Sequence, residues 1–355
     1  VMDVPSPVEK TKTYHIMRLY DAVVNKTYND EPCDLRGAYI AYVNPVANVA
    51  DRNKTIEAFK ALDLVVVNDM VMSETAEYAD YVLPCCHWFE TEDIMATMAT
   101  HSCAVYQAPA LAPLGESKPD FEIFGLLAEA LGYSGYFDTT PEEWLRGMLD
   151  NDKARDMGMT YEKLAEVGSA KMVPTGDEPF VFAAGGAFPT KTGRAAFYLE
   201  APSPSNDYAP DFDYEKEYLP YWEETLEVGE HSEARQKYPL QLISEHSRFR
   251  THTQWSEVEA LLEVDTNQWL YIGPEDAAEY GIADGDTVKV YNDRGYLVTK
   301  AKIRPNNPKG ILSAVKGWTW KQVDDGHLSN LGTTQSNPFC ANQPFNDCVV
   351  AIEKA

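Results

Sequence analysis

From Tyr238 to the C-terminus the chain is cut into short apolar runs separated by turn residues. The runs are Gln241 to Ser244, Trp269 to Ile272, Thr287 to Tyr291, Leu297 to Ile303, Gly310 to Val315 and Cys348 to Ile352. Closely spaced strands with few helical stretches predict a closed β-barrel, because closure leaves no unpaired edge. The sharpest signal is Gly281 to Gly295. It reads as a tight turn at Asp284-Gly285-Asp286, a strand with alternating Val288 and Val290, and a second turn at Asn292 to Gly295. Gly285 and Gly295 are expected to supply the positive φ that such turns use.

The texture upstream is different. Ala38 to Val43 and Leu64 to Val67 are continuous apolar runs, and Tyr81 to Leu83 is a third. Asp51 to Leu62 has helical apolar spacing, Ser73 is placed to cap a short helix over Glu74 to Tyr78, and Phe121 to Leu131 reads as a helix closed by Gly132. Apolar strands alternating with helices predict an α/β, Rossmann-like parallel sheet covered on both faces, without the G-x-G-x-x-G fingerprint. The resulting division is a connecting segment over 1–37 with a helix from Tyr14 to Val24, an α/β region over 38–150, an irregular, helical and loop-rich segment over 151–237, and a barrel over 238–355. There is no repeat of fixed period.

Composition narrows the partners. A formal charge of −26 opposes nucleic acid and anionic membrane surfaces. No run of about eighteen apolar residues predicts a transmembrane helix, so no direct membrane insertion is expected. Residue 1 is Val, with no charged and apolar leader after it, so the chain is expected to begin within a longer polypeptide. The six cysteines, Cys33, Cys85, Cys86, Cys103, Cys340 and Cys348, include no C-x-x-C pair. They read as small buried hydrophobes rather than cluster or zinc ligands.

Several residues could carry chemistry. Asp69 follows the apolar run Val65 to Asn68, where parallel sheets open into a ligand crevice. A carboxylate there can accept both hydrogen bonds of a guanine edge; a helix cap or turn aspartate is the plainer alternative. Asn44-Pro45 ends the preceding strand, and Asn44 offers a side-chain amide. His246, Arg248, Arg250 and His252 lie within a short span after the first barrel strand, unusual in so acidic a chain. Their spacing does not suit a zinc pair, so a donor-rich loop gripping an anion is the better reading.

These stretches, in this order, resemble the C-terminal half of the dimethyl sulfoxide reductase family of molybdopterin enzymes. Ser73-Glu-Thr-Ala-Glu-Tyr-Ala-Asp-Tyr-Val-Leu-Pro84 resembles a T-E-T-A-x-x-A-D-x-x-L-P segment that follows a guanosine-contacting Asp, here Asp69. Glu90 matches the Glu that usually follows. Val43 stands where the family often has Gly. Ser244 to Thr253 resembles an S-x-H-x-x-x-R-x-H-S loop, with Thr253 for Ser. Trp318, after Gly317, and Asn330 match residues bordering the cofactor; Asn330 is followed by one extra residue before Thr333. Phe188 to Arg194, with Thr192, Gly193 and Arg194 matching in kind, resembles a structural segment between the two regions.

The resemblance implies half of a discontinuous α/β domain followed by a double-psi-type barrel. The cofactor implied is bis-molybdopterin guanine dinucleotide with molybdenum or tungsten. Its expected contacts are Asn44, Asp69, Thr75, His246, Arg250, His252, Thr253, Gln254, Trp318 and Asn330. Arg250, His252 and Thr253 are expected to face it, and Arg248 to face solvent. The metal ligand, any [4Fe-4S] cluster and the other nucleotide-binding domain belong to an N-terminal half of the same catalytic subunit; no catalytic residue is assigned here. A small-molecule substrate and an iron–sulfur electron-transfer subunit are the implied partners. The implied reaction is two-electron oxygen-atom or hydroxyl transfer, including reductive dehydroxylation, in prokaryotic anaerobic respiration. The protein would work in the cytoplasm or after folded export by the twin-arginine route. A non-redox hydratase or transhydroxylase on the same cofactor, and a non-catalytic nucleotide- or partner-binding module, are the alternatives.

Overall fold

The computed structural model describes residues 13–96, 103–133, 135, 137–172, 181, 183, 185–202, 213–335 and 342–355; Cys340 lies outside them. The described chain forms two compact units, one of residues 12–67, 72–81 and 197–355, the other including 68–71 and 82–196.

The N-terminal part of the first unit holds a short ladder of β1 (Thr27–Tyr28) with β2 (Glu31–Pro32). The helix expected over Tyr14 to Val24 is broken into a 3-10 turn, Ile16–Arg18, and a π-helical turn, Asp21–Asn25. Asp21 accepts from both Arg18 and Asn25, and left-handed Lys26 ends the turn. Strands β3 (Gly37–Ala41), β4 (Leu64–Asp69) and β5 (Tyr81–Pro84) form a parallel sheet in that order. Helix α1 (Pro45–Asn48) follows β3, and α2 (Arg52–Ala61) follows under an Asp51 cap, whose carboxylate accepts from Lys54 N at 3.4 Å. Burial on both faces is confined to β4, where Val65 and Val67 are buried on one face and Asn68 on the other, whereas β3 has no fully buried residue. The expectation of full coverage is corrected to that extent, because the sheet has three strands and little to pack on its outer ones.

The second unit holds the antiparallel sheet β6 (Asp93–Ala96), β7 (Cys103–Gln107) and β8 (Ser169–Lys171). Helix α3 (Asp120–Ala130) stops at Gly132, whose φ is +80°. Helices α4 (Pro141–Leu149), α5 (Asp152–Asp156) and α6 (Tyr161–Val167) follow, each with an Asn or Thr cap. Ile94, Ala104, Leu145 and Leu164 form the shared core of this sheet and these helices.

The barrel consists of β9 (Leu240–Glu245), β10 (Leu270–Ile272), β11 (Thr287–Asn292), β12 (Gly295–Ile303), β13 (Ile311–Val315) and β15 (Val349–Lys354), with β14 (Asp325–Gly326) attached to β12. The ring order is β10-β13-β9-β15-β11-β12, closed by pairing of β12 with β10. Two pairings, β9–β13 and β10–β12, are parallel. Each strand of the ring corresponds to one apolar run of the sequence. Alternate residues point inward, so Val288, Val290, Leu270, Ile272 and Leu312 are fully buried. Each such side chain contributes about 1.5–3 kcal/mol relative to exposure.

The turn before β11 behaves as expected, with Gly285 at φ +87°. Gly295 does not: its φ is not positive. Glycine is needed there because a Cβ would lie 2.9 Å from Asn330 Cβ and 3.1 Å from Asn53 Nδ2.

Candidate functional site

Three of the expected contact residues meet in one network within the first unit. Asn44, at the cap position of α1, accepts at Oδ1 from Thr75 Oγ1 (2.6 Å) and Thr75 N (3.2 Å). Its Nδ2 donates to Thr253 Oγ1 at 3.2 Å, and Asn48 Nδ2 donates to the same oxygen at 3.4 Å. Thr75 also accepts from Val46 N at 3.1 Å and is fully buried. A strand end, the 73–84 segment and the barrel loop are therefore tied together, and the bonding capacity of Asn44 and Thr75 is largely used in doing so.

The rest of the 73–84 segment works the same way. Ser73 Oγ accepts from Ala76 N at 3.3 Å, and Asp80 Oδ2 from Val65 N at 2.7 Å. Glu74, which sequence reasoning passed over, accepts from Arg52 Nε and Nη2 at 3.0 and 2.9 Å and from Trp320 N at 2.7 Å. In the second unit, Glu90 accepts from His87 N and Leu114 N. Phe188 to Arg194 is a turn with internal bonds, including Phe188 N to Gly193 O at 2.9 Å.

The barrel loop divides its residues between surface and interior. His246, Arg248 and Gln254 are exposed, His252 and Thr253 are half-buried, and the Arg250 side chain is completely enclosed. Arg250 pairs with Asp265 at 2.9 Å, and its guanidinium lies 3.9 Å over the Trp318 ring. Its charge is thus compensated within the protein. His252 adopts φ +51°, and its ring packs edge-on against that of His246 with centroids 5.4 Å apart. Its carbonyl sits where a side chain on residue 317 would be: a Cβ on Gly317, at φ +92°, would lie 1.9 Å from His252 O. That close approach is the reason for glycine before Trp318.

Beside this loop lies a cleft whose lining includes Asn48, Ser244, His252, Lys316, Trp318 and Ser329. Among the described residues, no aspartate or glutamate lines it, although the chain has 56 of them against 30 Lys and Arg. Lys316 forms no salt bridge among the described residues; burial lowers its pKa, and its ammonium lies 4.6 Å over the Phe345 ring. Burial, then Lys316 and His246, hold the His252 imidazole below its usual value. Trp318 is 2% exposed, yet its buried Nε1 has no hydrogen-bond partner. A buried donor without an acceptor is costly, and it marks a place where a ligand acceptor would be welcome. Asn330 is buried against β12, donating to Tyr296 O at 3.4 Å, and its Oδ1 is unpartnered.

Asp69 belongs to the second unit. It ends β4, and its Oδ1 accepts from Met70 N at 2.8 Å. Met70 and Val71, immediately after it, are 53% and 49% exposed, offering apolar surface beside a carboxylate. Burial, with the negative charges of Asp120 and Asp69, pushes the Cys85 thiol up to about 12, so it is a neutral thiol. Cys33, Cys86 and Cys348 are buried. Among the described residues, no group of three His, Cys, Asp or Glu side chains is placed to hold a metal ion. No described helix is long and apolar enough to cross a membrane.

Comparison with known proteins places this architecture. Residues 20–130 match the family model of molybdopterin oxidoreductases, and residues 240–349 that of the molybdopterin dinucleotide-binding domain. A putative dimethyl sulfoxide reductase catalytic chain of Halobacterium salinarum is 32% identical, over 95% of this chain and 39% of its own length. The dimethyl sulfoxide reductase DmsA of Escherichia coli is 27% identical, over 95% of this chain and 43% of its own. The acetylene hydratase of Pelobacter acetylenicus shares the fold, with a TM-score of 0.74 and 17% identity over 96% of this chain and 46% of that one. The chain belongs to the dimethyl sulfoxide reductase family of molybdopterin oxidoreductases, whose cofactor is molybdopterin guanine dinucleotide with molybdenum. It spans about two fifths of the length of the curated relatives it matches.

Proposed function

We propose that the chain is the cofactor-clamping portion of a molybdenum or tungsten oxidoreductase that binds two molybdopterin guanine dinucleotides. The observation that carries this reading is the acid-free cleft of the barrel, lined by Lys316 and His252 in a chain of net charge −26. The chain's overall field repels a pyrophosphate; only a local patch free of carboxylates can reverse that. The residues fit such a group: Lys316, His252, Ser244 and the unpartnered Trp318 Nε1 are donors toward anionic oxygens. Asn44, Thr75, Thr253 and Arg250 hold the walls, while His246, Gln254 and Asn330 border the loop and strand that form them. Asp69, beside exposed Met70 and Val71, would select the guanine base in a Rossmann-like crevice. The mixed parallel and antiparallel ring is compatible with a double-psi barrel.

When bound, the cofactor would supply two-electron oxygen-atom or hydroxyl transfer on a small molecule. This chain's residues would bind and orient it, with the cleft keeping carboxylates away from its pyrophosphate while Asp69 meets its base. The metal ligand and the iron–sulfur cluster would lie in the rest of a larger catalytic subunit, working with an electron-transfer subunit.

The test is the guanine dinucleotide recovered from denatured full-length protein. Lys316→Glu puts a carboxylate into the cleft and should lower retention at least about tenfold; Asp69→Asn should weaken it by about 1.5–3 kcal/mol. Absence of pterin from the wild-type protein, or full retention in both variants, would sink the reading.

A further inference from the structure

Arg52, Glu74 and His327 form a buried polar cluster around the Arg52–Glu74 ion pair that joins three distant parts of the first unit. Arg52 is 9% exposed, Glu74 2% and His327 3%. Glu74 Oε2 takes both Arg52 Nε and Nη2, while Oε1 takes the Trp320 amide and lies 3.5 Å from His327 Nε2. His327 Nδ1 accepts from Ser329 N at 3.0 Å. With Nδ1 accepting, Nε2 is the nitrogen left to donate, and it lies 3.1 Å from the Trp318 carbonyl oxygen. Both Trp318 and Ser329 line the acid-free cleft, and Ser329 Oγ is tied in turn to Ala47 O at 2.6 Å.

A buried ion pair is poor value as a source of stability, since apolar residues of the same volume often do as well. What this cluster adds is direction. Its contacts converge on the backbone of residues 318–329, the wall that carries the unpartnered indole Nε1. Burial opposes ionisation of Glu74, yet His327, Arg52 and the Trp320 amide together hold its carboxyl below the ordinary value. The anchor is thus a fixed charge.

We propose that Glu74 and His327, backed by Arg52, are positioning residues: they hold Trp318 and its cleft wall in the orientation that an anionic pterin dinucleotide requires. The inference rests on the cofactor reading above. His327 acts through the Trp318 carbonyl, and Glu74 through the Trp320 amide; neither touches the ligand.

The experiment uses the full-length holoenzyme and reads two quantities, the rate of guanine dinucleotide release and the melting temperature of the protein after cofactor extraction. His327→Gln keeps a side-chain N–H for the Trp318 carbonyl; His327→Leu does not. The expected result is release about tenfold faster from His327→Leu, the scale of one lost buried hydrogen bond, with His327→Gln close to wild type. Replacing both Arg52 and Glu74 by Met removes the charges as a pair. It should leave the melting temperature of the extracted protein near that of wild type while accelerating release. A wild-type holoenzyme without pterin dinucleotide overturns the cofactor reading and this inference with it. Pterin in the wild type with equal release rates from both His327 variants overturns this inference alone.

Discussion

The barrel and the three-stranded sheet β3-β4-β5 are both built on apolar runs, yet outside the centre of β4 the sheet stays partly exposed where the barrel is buried. In the barrel, Leu270, Ile272, Val288 and Val290 are fully buried. In the sheet, Tyr81 is 64% exposed, and Tyr42 and Val43 just beyond β3 are 77% and 60% exposed. The difference is closure. Six strands in a ring satisfy each other's backbone groups and enclose their own side chains. Three strands in an open sheet leave two edges and two faces that need other chain to cover them. The matched relatives are more than twice as long as this chain.

The largest effect that could break this comparison is a cavity. Leu270→Ala in the barrel should destabilise by about 2–5 kcal/mol, whereas Tyr81→Ala in β5, on a residue 64% exposed, should stay within about 0.5 kcal/mol. Urea unfolding measures both; similar losses would mean that the exposed surface is already covered in solution. A smaller effect tests how the sheet's end is tied to the barrel loop. Asn44→Ala and Thr253→Ala, singly and together, should show a coupling of about 0.5–1.5 kcal/mol for their shared hydrogen bond. Strict additivity would mean that the bond carries nothing.

The smallest effect is a pH dependence confined to the barrel loop. His252 in the folded chain binds its proton less readily than an ordinary imidazole, whose value is 6.5. The unfolded chain therefore protonates first, and stability should fall as pH drops below about 6.5, levelling once the folded ring is protonated as well. Glu74 is depressed from 4.5, so its contribution fades in a separate, more acidic window. His252→Gln should flatten the upper window and leave the lower one; a slope unchanged between pH 7 and 5 would assign it elsewhere.

Much of the fold was legible because it is written locally. Alternation of Val288 and Val290, the apolar spacing of the helix after Asp51, Ser73 ahead of its turn and the Gly132 stop each act over a few residues, where spacing and chemistry are read together. The motif positions Asn44, Thr75 and Thr253 were legible as important, and tertiary structure added their use: they bond to one another across 31 and 209 residues. Arg250 stood out as a cation, and only packing revealed that Asp265 and Trp318 absorb its charge.

By itself the sequence determined the six barrel strands, the alternating α/β texture before them and the family of the chain. These depend on periodicity and on short motifs. The tertiary structure decided which polar residues face a cleft and which are spent inside the protein. It turned Gly295 from a supposed turn glycine into a contact with Asn330. It also joined Glu74 to Trp320 and His327, partners 246 and 253 positions along the chain. Burial and long-range hydrogen bonding depend on where the folded chain returns to itself, and no local pattern encodes that meeting point.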